Sequence, residues 1–133
     1  MNTFHLTIST PDGMLFDDEV TSLRARMIDG DVGILPNHAK YVSAVGEGEA
    51  LIRLPDGQTR RAACIGGMLS VMDNKARLIA TTFEWAEEID LDRAKRAKER
   101  AEQRLAEMQA DRREQKVAEA KLRRALVRIQ VKQ

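Results

Sequence analysis

Four arginines in the C-terminal part of the chain have the spacing expected of an anion-binding site. Arg93 and Arg100 are seven residues apart and Arg124 and Arg128 are four apart, so each pair lies on one face of a helix. If the two helices turn back near residue 111, Arg93 is level with Arg128, and Arg100 is near the level of Arg124. Guanidinium groups that converge in this way repel one another unless anions lie between them. The negative charge could come from bound polyphosphate, held by bidentate contacts, or from the carboxylates of Glu99, Glu102 and Glu119.

Patterns that mark catalytic centres are absent from the sequence. There is no Gly-x-x-x-x-Gly-Lys-Ser/Thr phosphate loop, no Cys-x-x-Cys or His-Glu-x-x-His metal spacing and no Gly-x-Ser-x-Gly motif. We therefore expect a protein that is not an enzyme. His5 alternates with apolar residues and is predicted to be a surface histidine of a strand. Cys64, the single cysteine, follows two alanines and is predicted to be a small core residue rather than a reactive thiol.

His38 lies in a glycine-punctuated segment, Gly30-Asp31-Val32-Gly33-Ile34-Leu35-Pro36-Asn37-His38-Ala39. The glycines permit tight turns, and the Ile-Leu-Pro sequence places apolar side chains within the segment. It can be a structured crossover whose apolar residues close one end of a sandwich, or a docking loop. Residue chemistry alone favours the crossover.

The elements that must position these residues divide the chain into two parts. All 8 Gly and all 3 Pro lie between Pro11 and Gly67, and the last 50 residues, from Glu84 onward, contain neither. This change in composition predicts an N-terminal domain of residues 1–84 and a C-terminal domain of residues 85–133. The fold class is therefore mainly β plus α, with a β-sandwich followed by an antiparallel two-helix hairpin.

Short strands bounded by turns are predicted in the N-terminal part. Phe4, Leu6 and Ile8 alternate with polar residues, and two Pro-Asp-Gly sequences, at 11–13 and 55–57, are typical turns. Many short strands with regular turns favour a sandwich or barrel. Beyond the strand at 4–8, the predicted strands cover 20–28, 41–45, 50–54, 59–65, 68–72 and 76–82, with a tight turn at 73–74.

The C-terminal part changes to a helical period, with apolar residues three or four apart. Helix one (84–111) is predicted to have its N-cap at Asp90 and a net charge of −3, from 6 basic and 9 acidic residues. Helix two (112–133) has 8 basic and 2 acidic residues, net +6, and Asp111 begins a capping-box-like sequence. Opposite charges favour an antiparallel hairpin that turns near 109–112. The predicted seam residues are Leu91, Ala94, Ala97, Ala101, Leu105, Met108, Ala118, Leu122, Ala125, Leu126 and Ile129.

Length and overall charge limit the function further. The chain has 133 residues and carries 22 Lys+Arg against 21 Asp+Glu, so no global charge attracts nucleic acid or a membrane surface. No apolar run approaches the roughly 20 residues that span a bilayer. We expect a cytosolic protein without a leader, associated with membranes through partners only.

Three motifs resemble the epsilon subunit family of bacterial F-type ATP synthase. They are the 30–39 segment, the strand entry Gly66-Gly67-Met68-Leu69-Ser70-Val71, and Ile89-Asp90-Leu91-Asp92-Arg93-Ala94. Their order and spacing match over the whole chain. Two residues depart from the family pattern, because Asn37 stands where Gly is usual and Lys40 where Pro is usual. Asn tolerates a left-handed backbone better than most residues, so the loop can be retained.

This resemblance implies a non-catalytic rotor subunit at the cytoplasmic face of the bacterial membrane. Its sandwich would bind the gamma subunit and rest on the ring of c subunits, with Asp31 and His38 at that interface. Its hairpin would either fold down or extend into the catalytic head of alpha and beta subunits and inhibit ATP hydrolysis. The residues expected to meet acidic beta-subunit side chains form a basic stripe, Lys121, Arg124, Arg128 and Lys132.

The resemblance also implies a regulatory ATP site, although no cofactor is required. The positions that match the ATP-binding signature of some epsilon subunits are Glu84, Asp90, Arg93, Ala94, Arg100, Arg124 and Arg128. ATP bound there would hold the hairpin down without being hydrolysed.

A second class of function competes with this one. The sandwich could be a binding module whose hairpin is a coiled-coil arm for an unrelated acidic protein or RNA. RNA binding would require aromatic residues among the basic ones, and the hairpin has only Trp85 at its base. The module therefore ranks below the synthase subunit, and nucleic acid is not an expected partner.

Overall fold

The computed structural model describes residues 2–107 and 112–133 and separates the chain into two compact units, Met1–Trp85 and Ala86–Gln133. Trp85 is the last residue of a strand, so the helical unit begins at residue 86 rather than at 85 as predicted. The strands described in the first unit are β1 (Phe4–Thr10), β2 (Gly13–Val20), β3 (Ser22–Met27), β4 (Gly30–Ile34), β5 (Tyr41–Ala44), β6 (Glu47–Arg53), β7 (Thr59–Met72) and β8 (Lys75–Trp85).

These strands form the predicted β-sandwich. The strand order is β2-β1-β8-β7-β6-β3-β4, and β5 pairs with β7 outside that path. The pairing of β1 with β8 is parallel, and the neighbouring pairs are antiparallel. Phe4, Leu6 and Ile8 point into the core with at most 1% of their surface exposed, as the alternation in β1 predicts. The strand β7 pairs with β6 along its first half and with β5 along its second half, and it contains two adjacent glycines, Gly66 and Gly67.

The β7 strand corrects the prediction of two separate strands at 59–65 and 68–72. It runs through 14 residues and bends at Gly66 and Gly67, whose φ angles are +72° and +119°. Residues 59–65 pair with β6 and residues 68–71 with β5, so the bend carries the strand from one layer to the other. A Cβ at position 67 would lie 2.0 Å from the Ile79 carbonyl oxygen, so the chain can make this bend only with glycine there.

Two strands were not predicted, β2 and β4. Val20 is the buried residue of β2, and the other residues of that strand are exposed or half-exposed, so an inward-facing alternation is missing. The 30–39 segment was interpreted wholly as a loop, but residues 30–34 pair with β3 as a hairpin strand that contains two glycines. The strand predicted at 20–28 is therefore the last residue of β2 followed by β3.

The helical unit contains a 3₁₀ turn (Ala86–Glu88), α1 (Leu91–Glu107) and α2 (Arg112–Lys132). The predicted turn, with Met108 and Asp111, lies outside the described residues. The helices α1 and α2 contact each other, and the four residues between them in the sequence are too few to span the roughly 25 Å length of α1, so the two helices pack antiparallel. The fully buried residues of the helices are Ala94, Ala101, Ala118, Ala125 and Val131, whereas Leu126, a predicted seam residue, is 44% exposed.

Candidate functional site

Asp31 lies on the exposed side of the β3–β4 hairpin. Its carboxylate oxygens are 3.6 Å from Arg24 Nη2 and 3.7 Å from Arg26 Nη1, on the neighbouring strand. All three side chains are at least 44% exposed, so these ion pairs contribute little stability. The turn of the hairpin presents Ile28, which is 72% exposed. This end of the sandwich therefore combines a mixed-charge cluster with an unburied apolar side chain.

His38 lies in the loop of residues 35–40, between β4 and β5. Its Nδ1 is 2.8 Å from the Ala39 carbonyl oxygen, to which it donates, and its ring contacts Tyr41 edge-on at a centroid distance of 6.0 Å. Asn37 has φ 62°, the left-handed conformation that Gly would supply, so the departure at this position leaves the loop intact. Leu35 is 61% exposed and lies next to these residues in the chain. His38 is therefore held by its neighbours while it remains partly accessible.

An exposed apolar face lies on the outside of β5, β7 and β8, and the sequence analysis missed it. Met68 pairs with Ile79 in β8 and with Ala44 in β5, while Val42 pairs with Ser70 two residues along β7. These side chains share one side of the sheet because residues two apart in a strand face the same way. We call this the outer apolar face: Val42 is 66% exposed, Met68 46%, Met72 50% and Ile79 49%. The sequence carries one partial signal of it, since β7 has apolar residues at outward as well as inward positions, but the face as a whole depends on the pairing of three strands.

Beside this face, His5 bridges two carboxylates of β2. Its Nε2 is 2.5 Å from Asp17 Oδ1, and its Nδ1 is 2.9 Å from Glu19 Oε2. The hydrogen bond to Asp17, followed by that to Glu19, raises the pKa of His5 above its ordinary value of 6.5. The prediction of a surface strand histidine is confirmed, and the structure adds that this histidine links β1 to β2.

The other isolated groups are structural. Cys64 is 2% exposed, and burial raises the pKa of its thiol to about 12, which confirms the predicted core role. Trp85 packs edge-on against Phe83 at a centroid distance of 4.9 Å, and the guanidinium of Arg60 lies 3.6 Å from its ring centroid. Across residues 2–107 and 112–133, no cluster of side chains has the composition of a metal site.

The predicted nucleotide residues have distinct environments. Asp90 is the N-cap of α1, as predicted, because its Oδ1 accepts the backbone N–H of Arg93 at 3.1 Å. Ala94 is 4% exposed, Arg93 is exposed, and Arg128 is half-buried and interacts with another residue. Glu84 belongs to the sandwich unit, where it lies opposite Ala63 in β7.

Helix geometry places the four arginines on one flank of the hairpin. At 100° per residue, Arg93 and Arg100 lie about 100° and 120° from buried Ala94 in the same rotational direction. Arg124 and Arg128 lie about 100° and 60° from buried Ala125 in that direction too. In an antiparallel pair, equal rotational directions fall on the same flank. We call this side the basic flank.

The four arginines share one flank, but they do not all lie at the same level along the helix axes. The buried alanines are seven apart in both helices, which favours pairing Ala94 with Ala125 and Ala101 with Ala118. In that register, Arg124 and Arg128 each lie about 3 Å from the level of Arg93, whereas Arg100 lies about 7 Å from that of Arg124. Three arginines are thus grouped, and the fourth lies nearer the turn.

Two further features concern the predicted basic stripe. Lys121 and Arg124 are exposed, and Lys132 Nζ donates to the Ala86 carbonyl oxygen at 3.1 Å, which ties the end of α2 to the 3₁₀ turn. A cavity nearer the hairpin turn contains none of the four predicted arginines. It is lined by Arg104, Arg113, Glu114, Val117, Ala118 and Lys121.

No helix in the described parts of the chain is long and apolar enough to cross a membrane. Residues 3–86 match the family model of the ATP synthase delta/epsilon chain β-sandwich domain, and residues 87–133 match that of its long α-helix domain. The two family models therefore account for almost the entire chain.

Curated relatives give the same result. An ATP synthase epsilon chain of Nitratidesulfovibrio vulgaris is 39% identical over 130 residues, which are 98% of this chain and 96% of that protein. The epsilon chain of Caldicellulosiruptor bescii is 45% identical over 105 residues, 79% of this chain and 76% of that protein.

Solved structures share the fold. A chain in the cryo-EM structure of the Euglena gracilis mitochondrial ATP synthase, comprising OSCP, F1 and the c-ring, has a TM-score of 0.85. It is 21% identical, and the match covers 95% of this chain and 79% of that one. A chain in the Tetrahymena thermophila central stalk and c-ring structure has a TM-score of 0.67 at 12% identity, covering 97% and 96%. With two family models and close relatives matching over nearly its full length, the chain belongs to the epsilon-chain family of ATP synthase.

Proposed function

We propose that this epsilon-family chain is a non-catalytic rotor subunit whose sandwich binds the gamma subunit through the outer apolar face. The observation that supports this most is the exposure of Val42, Met68, Met72 and Ile79 on adjacent strands. Apolar side chains exposed together on one surface mark an interaction site more reliably than the same residues scattered singly. Partner burial of these side chains would stabilise the complex by removing their surface from water.

Charge placed on this face tests the proposal. Met68→Glu and Val42→Glu are expected to weaken binding to purified gamma subunit at least about tenfold, since each buries an unpaired carboxylate. Val117→Glu is the matched control, because Val117 is 51% exposed but lies on α2. Interferometry with immobilised gamma measures both. Unchanged affinity for the two sandwich variants would remove the outer apolar face as the binding site.

The second rotor partner, the c-ring, is assigned to the exposed residues of the β3–β4 hairpin and of the loop that follows it. Asp31, Ile28, Leu35 and His38 lie in the 28–38 stretch of the chain and combine charge with exposed apolar surface. Cysteines introduced at positions 31 and 38 are expected to cross-link to c subunits in the assembled enzyme. If both cysteines label freely with bulky reagents in the intact complex and never cross-link, the c-ring assignment fails.

In this arrangement the chain is peripheral, at the cytoplasmic face of the membrane, and reaches the membrane through the complex.

The hairpin is proposed to inhibit ATP hydrolysis when it extends toward the alpha and beta subunits. The fully buried side chains of its helices are alanines and Val131, and the larger residues Leu105, Leu122 and Ile129 are only half-buried, so the pair buries less apolar area than a leucine-packed pair would. Extension would release Lys132 from the Ala86 carbonyl and present the whole basic stripe.

Replacing the stripe tests this role. Alanine at Lys121, Arg124, Arg128 and Lys132 is expected to relieve inhibition of a reconstituted catalytic head without loss of assembly. Alanine at Lys116 and Arg123, which lie on the other side of α2, serves as the control. Equal ATPase rates with the stripe variant, the control variant and a chain stopped after Phe83 would contradict a role for the stripe.

ATP sensing is the second candidate, and the basic flank is the observation that favours it. Arg93, Arg124 and Arg128 lie within about 3 Å of one level on the same flank, which suits the span of a polyphosphate. ATP bound only to the folded hairpin would stabilise it by roughly 2.7 kcal/mol at 100 times the dissociation constant. ATP would then oppose extension of the hairpin without being hydrolysed.

Calorimetric titration of the full chain with ATP tests the site. Arg93→Ala and Arg128→Ala are expected to abolish binding, whereas Lys95→Ala, on the opposite flank of α1 and exposed, is expected to retain it. Absence of binding by the unmodified chain at millimolar ATP, or equal binding by all variants, would leave an ion-paired hairpin without a nucleotide role.

A further inference from the structure

The turn between β7 and β8 places an asparagine where glycine would be easier. Met72 pairs with Lys75, so Asp73 and Asn74 form a two-residue hairpin loop. Both have left-handed backbones, with φ 53° and φ 60°. Loops of this length favour Asn or Asp followed by Gly, because glycine takes positive φ without a steric penalty. A side chain at position 74 therefore needs a compensating contact.

The side chain of Asn74 makes two such contacts, and its backbone makes a third bond, to two other segments of the sandwich. Its Oδ1 accepts the backbone N–H of Asn37 at 2.7 Å, and its Nδ2 donates to the Thr3 carbonyl oxygen at 2.9 Å. Its own backbone carbonyl accepts the N–H of His5 at 3.2 Å. These partners are 37 and about 70 residues away along the chain. One side chain thus joins the 35–40 loop to the start of β1.

We propose that Asn74 is a positioning residue for the 35–40 loop. By holding Asn37, the Asn74 side chain fixes the position and orientation in which His38 and Leu35 meet the rotor partner. Within the loop, the N–H of His38 bonds to the Leu35 carbonyl at 3.2 Å, which shapes the turn without anchoring it to another strand. The bond from Asn37 to Asn74 supplies that anchor at the residue whose backbone is left-handed. This proposal rests on the assignment of the loop to the rotor interface.

Asparagine is the side chain that meets all the requirements at once. Glycine would keep the positive φ but remove both amide bonds. Aspartate would retain an acceptor for Asn37 but could not donate to the Thr3 carbonyl when ionised. Substitutions at position 74 can therefore remove the anchoring bonds without changing the backbone conformation, which makes the role testable.

The experiment compares Asn74→Gly and Asn74→Asp with Asp73→Gly, a control in the same turn that keeps both amide bonds. Three quantities are measured on the full-length chain: affinity for a purified complex of gamma subunit and c-ring, hydrogen exchange of the Asn37 amide, and urea unfolding. Asn74→Gly removes the side-chain bonds to Asn37 and Thr3. Each bond on which the bound position of the loop depends should weaken binding by about two- to tenfold when it is lost. The same variant should also accelerate exchange of the Asn37 amide by a similar factor.

Asn74→Asp is expected to retain protection of the Asn37 amide and to show the smaller loss of affinity. Asp73→Gly should leave affinity and exchange at wild-type values, with urea midpoints comparable among the variants. Equal loss in Asn74→Gly and Asp73→Gly would attribute the effect to the turn and overturn the proposal. Unchanged Asn37 exchange in Asn74→Gly would overturn it as well. If the unmodified chain does not bind the rotor complex, the interface assignment fails, while the exchange measurement still decides the anchoring role.

Discussion

The sandwich and the hairpin bury different kinds of side chain. The sandwich core contains Phe4, Leu6, Ile8, Leu69 and Leu78, each at most 1% exposed. The two helices bury alanines, with Val131 as their larger buried side chain. Burying a Leu or Phe contributes about 1.5 to 3 kcal/mol, whereas an alanine methyl contributes about 0.8. The sandwich is therefore a platform stabilised by large buried side chains, whereas each fully buried alanine of the two helices contributes less.

The largest expected effect is at the bend of β7, where the platform depends on backbone geometry. Gly67→Ala should lower the free energy of unfolding by at least about 3 kcal/mol, because the added Cβ would approach the Ile79 carbonyl to 2.0 Å at φ 119°. Gly57→Ala, at φ 89° in open space, should lower it by only about 1 kcal/mol. Urea unfolding followed by fluorescence of Trp85, the single tryptophan, measures both. Equal losses would mean that β7 can relax around a side chain.

The next effect concerns the alanine packing of the hairpin. Ala101→Leu should destabilise the helices by about 1 to 3 kcal/mol, since the helices must separate to admit the larger side chain. Ala106→Leu provides the control because Ala106 is exposed on the same helix, and its effect should stay within about 0.5 kcal/mol. Thermal unfolding of the full chain, followed by circular dichroism at the helical minimum, distinguishes the two. A stabilising Ala101→Leu would show that larger side chains could have filled this seam.

A smaller effect is expected from the cap of α1. Asp90→Ala should destabilise the helix by about 1 kcal/mol through loss of the bond to the Arg93 N–H. Asp92→Ala, in the same first turn, should lose only a few tenths of a kcal/mol from the helix dipole. The measurement is helical unfolding without and with ATP. A loss confined to the ATP-bound protein would make Asp90 a nucleotide contact rather than a cap.

The smallest effect is the pH dependence of the β1–β2 edge. The raised pKa of His5 means that its contribution to stability is fully present below 6.5, the ordinary value, and is lost as pH rises through the folded pKa. The pKa of Glu19 is lowered, first by its bond with Thr3 and then by that with His5, so its contribution is lost only in acid. Desolvation by burial acts in the opposite direction and lowers the pKa of His5.

NMR titration of a His38→Gln variant, which leaves one imidazole, should give a His5 pKa above 6.5. His5→Gln should remove the part of the decline in urea midpoint that occurs as pH rises above 6.5. A His5 titration at or below 6.5 would contradict the two-carboxylate bridge. Because the side chain is 39% exposed, the change in stability should be small beside those at Gly67 and Ala101.

Local patterns predicted the parts of the fold that depend on periodicity. The alternation in β1, the helical step of the buried alanines and the Asp90 cap follow from residue spacing, and all three are found in the structure. The β2 and β4 strands could not be predicted in this way, because edge strands need not alternate. The bend of β7 was interpreted as a break, since a glycine pair signals a turn whether or not the strand continues beyond it.

Side-chain partners of the candidate sites were harder to predict than their positions. Sequence identified Asp31 and His38 but not the Arg24 and Arg26 that pair with Asp31 across the hairpin, since that pairing depends on a strand that was not predicted. The contact from Asn74 to Asn37 joins segments 37 residues apart, which no local pattern can reveal. The outer apolar face is likewise a property of three adjacent strands.

Cys64 has a practical consequence for every labelling experiment on this chain. A thiol with a pKa of about 12 and 2% exposure has almost no thiolate at neutral pH, so maleimides and disulfide exchangers should react with it only when the sandwich opens. Spectroscopic probes can therefore be attached to single cysteines introduced at positions 31, 38 or 106 in the natural background. The rate at which the native thiol of Cys64 is modified would then report how often the core opens to solvent.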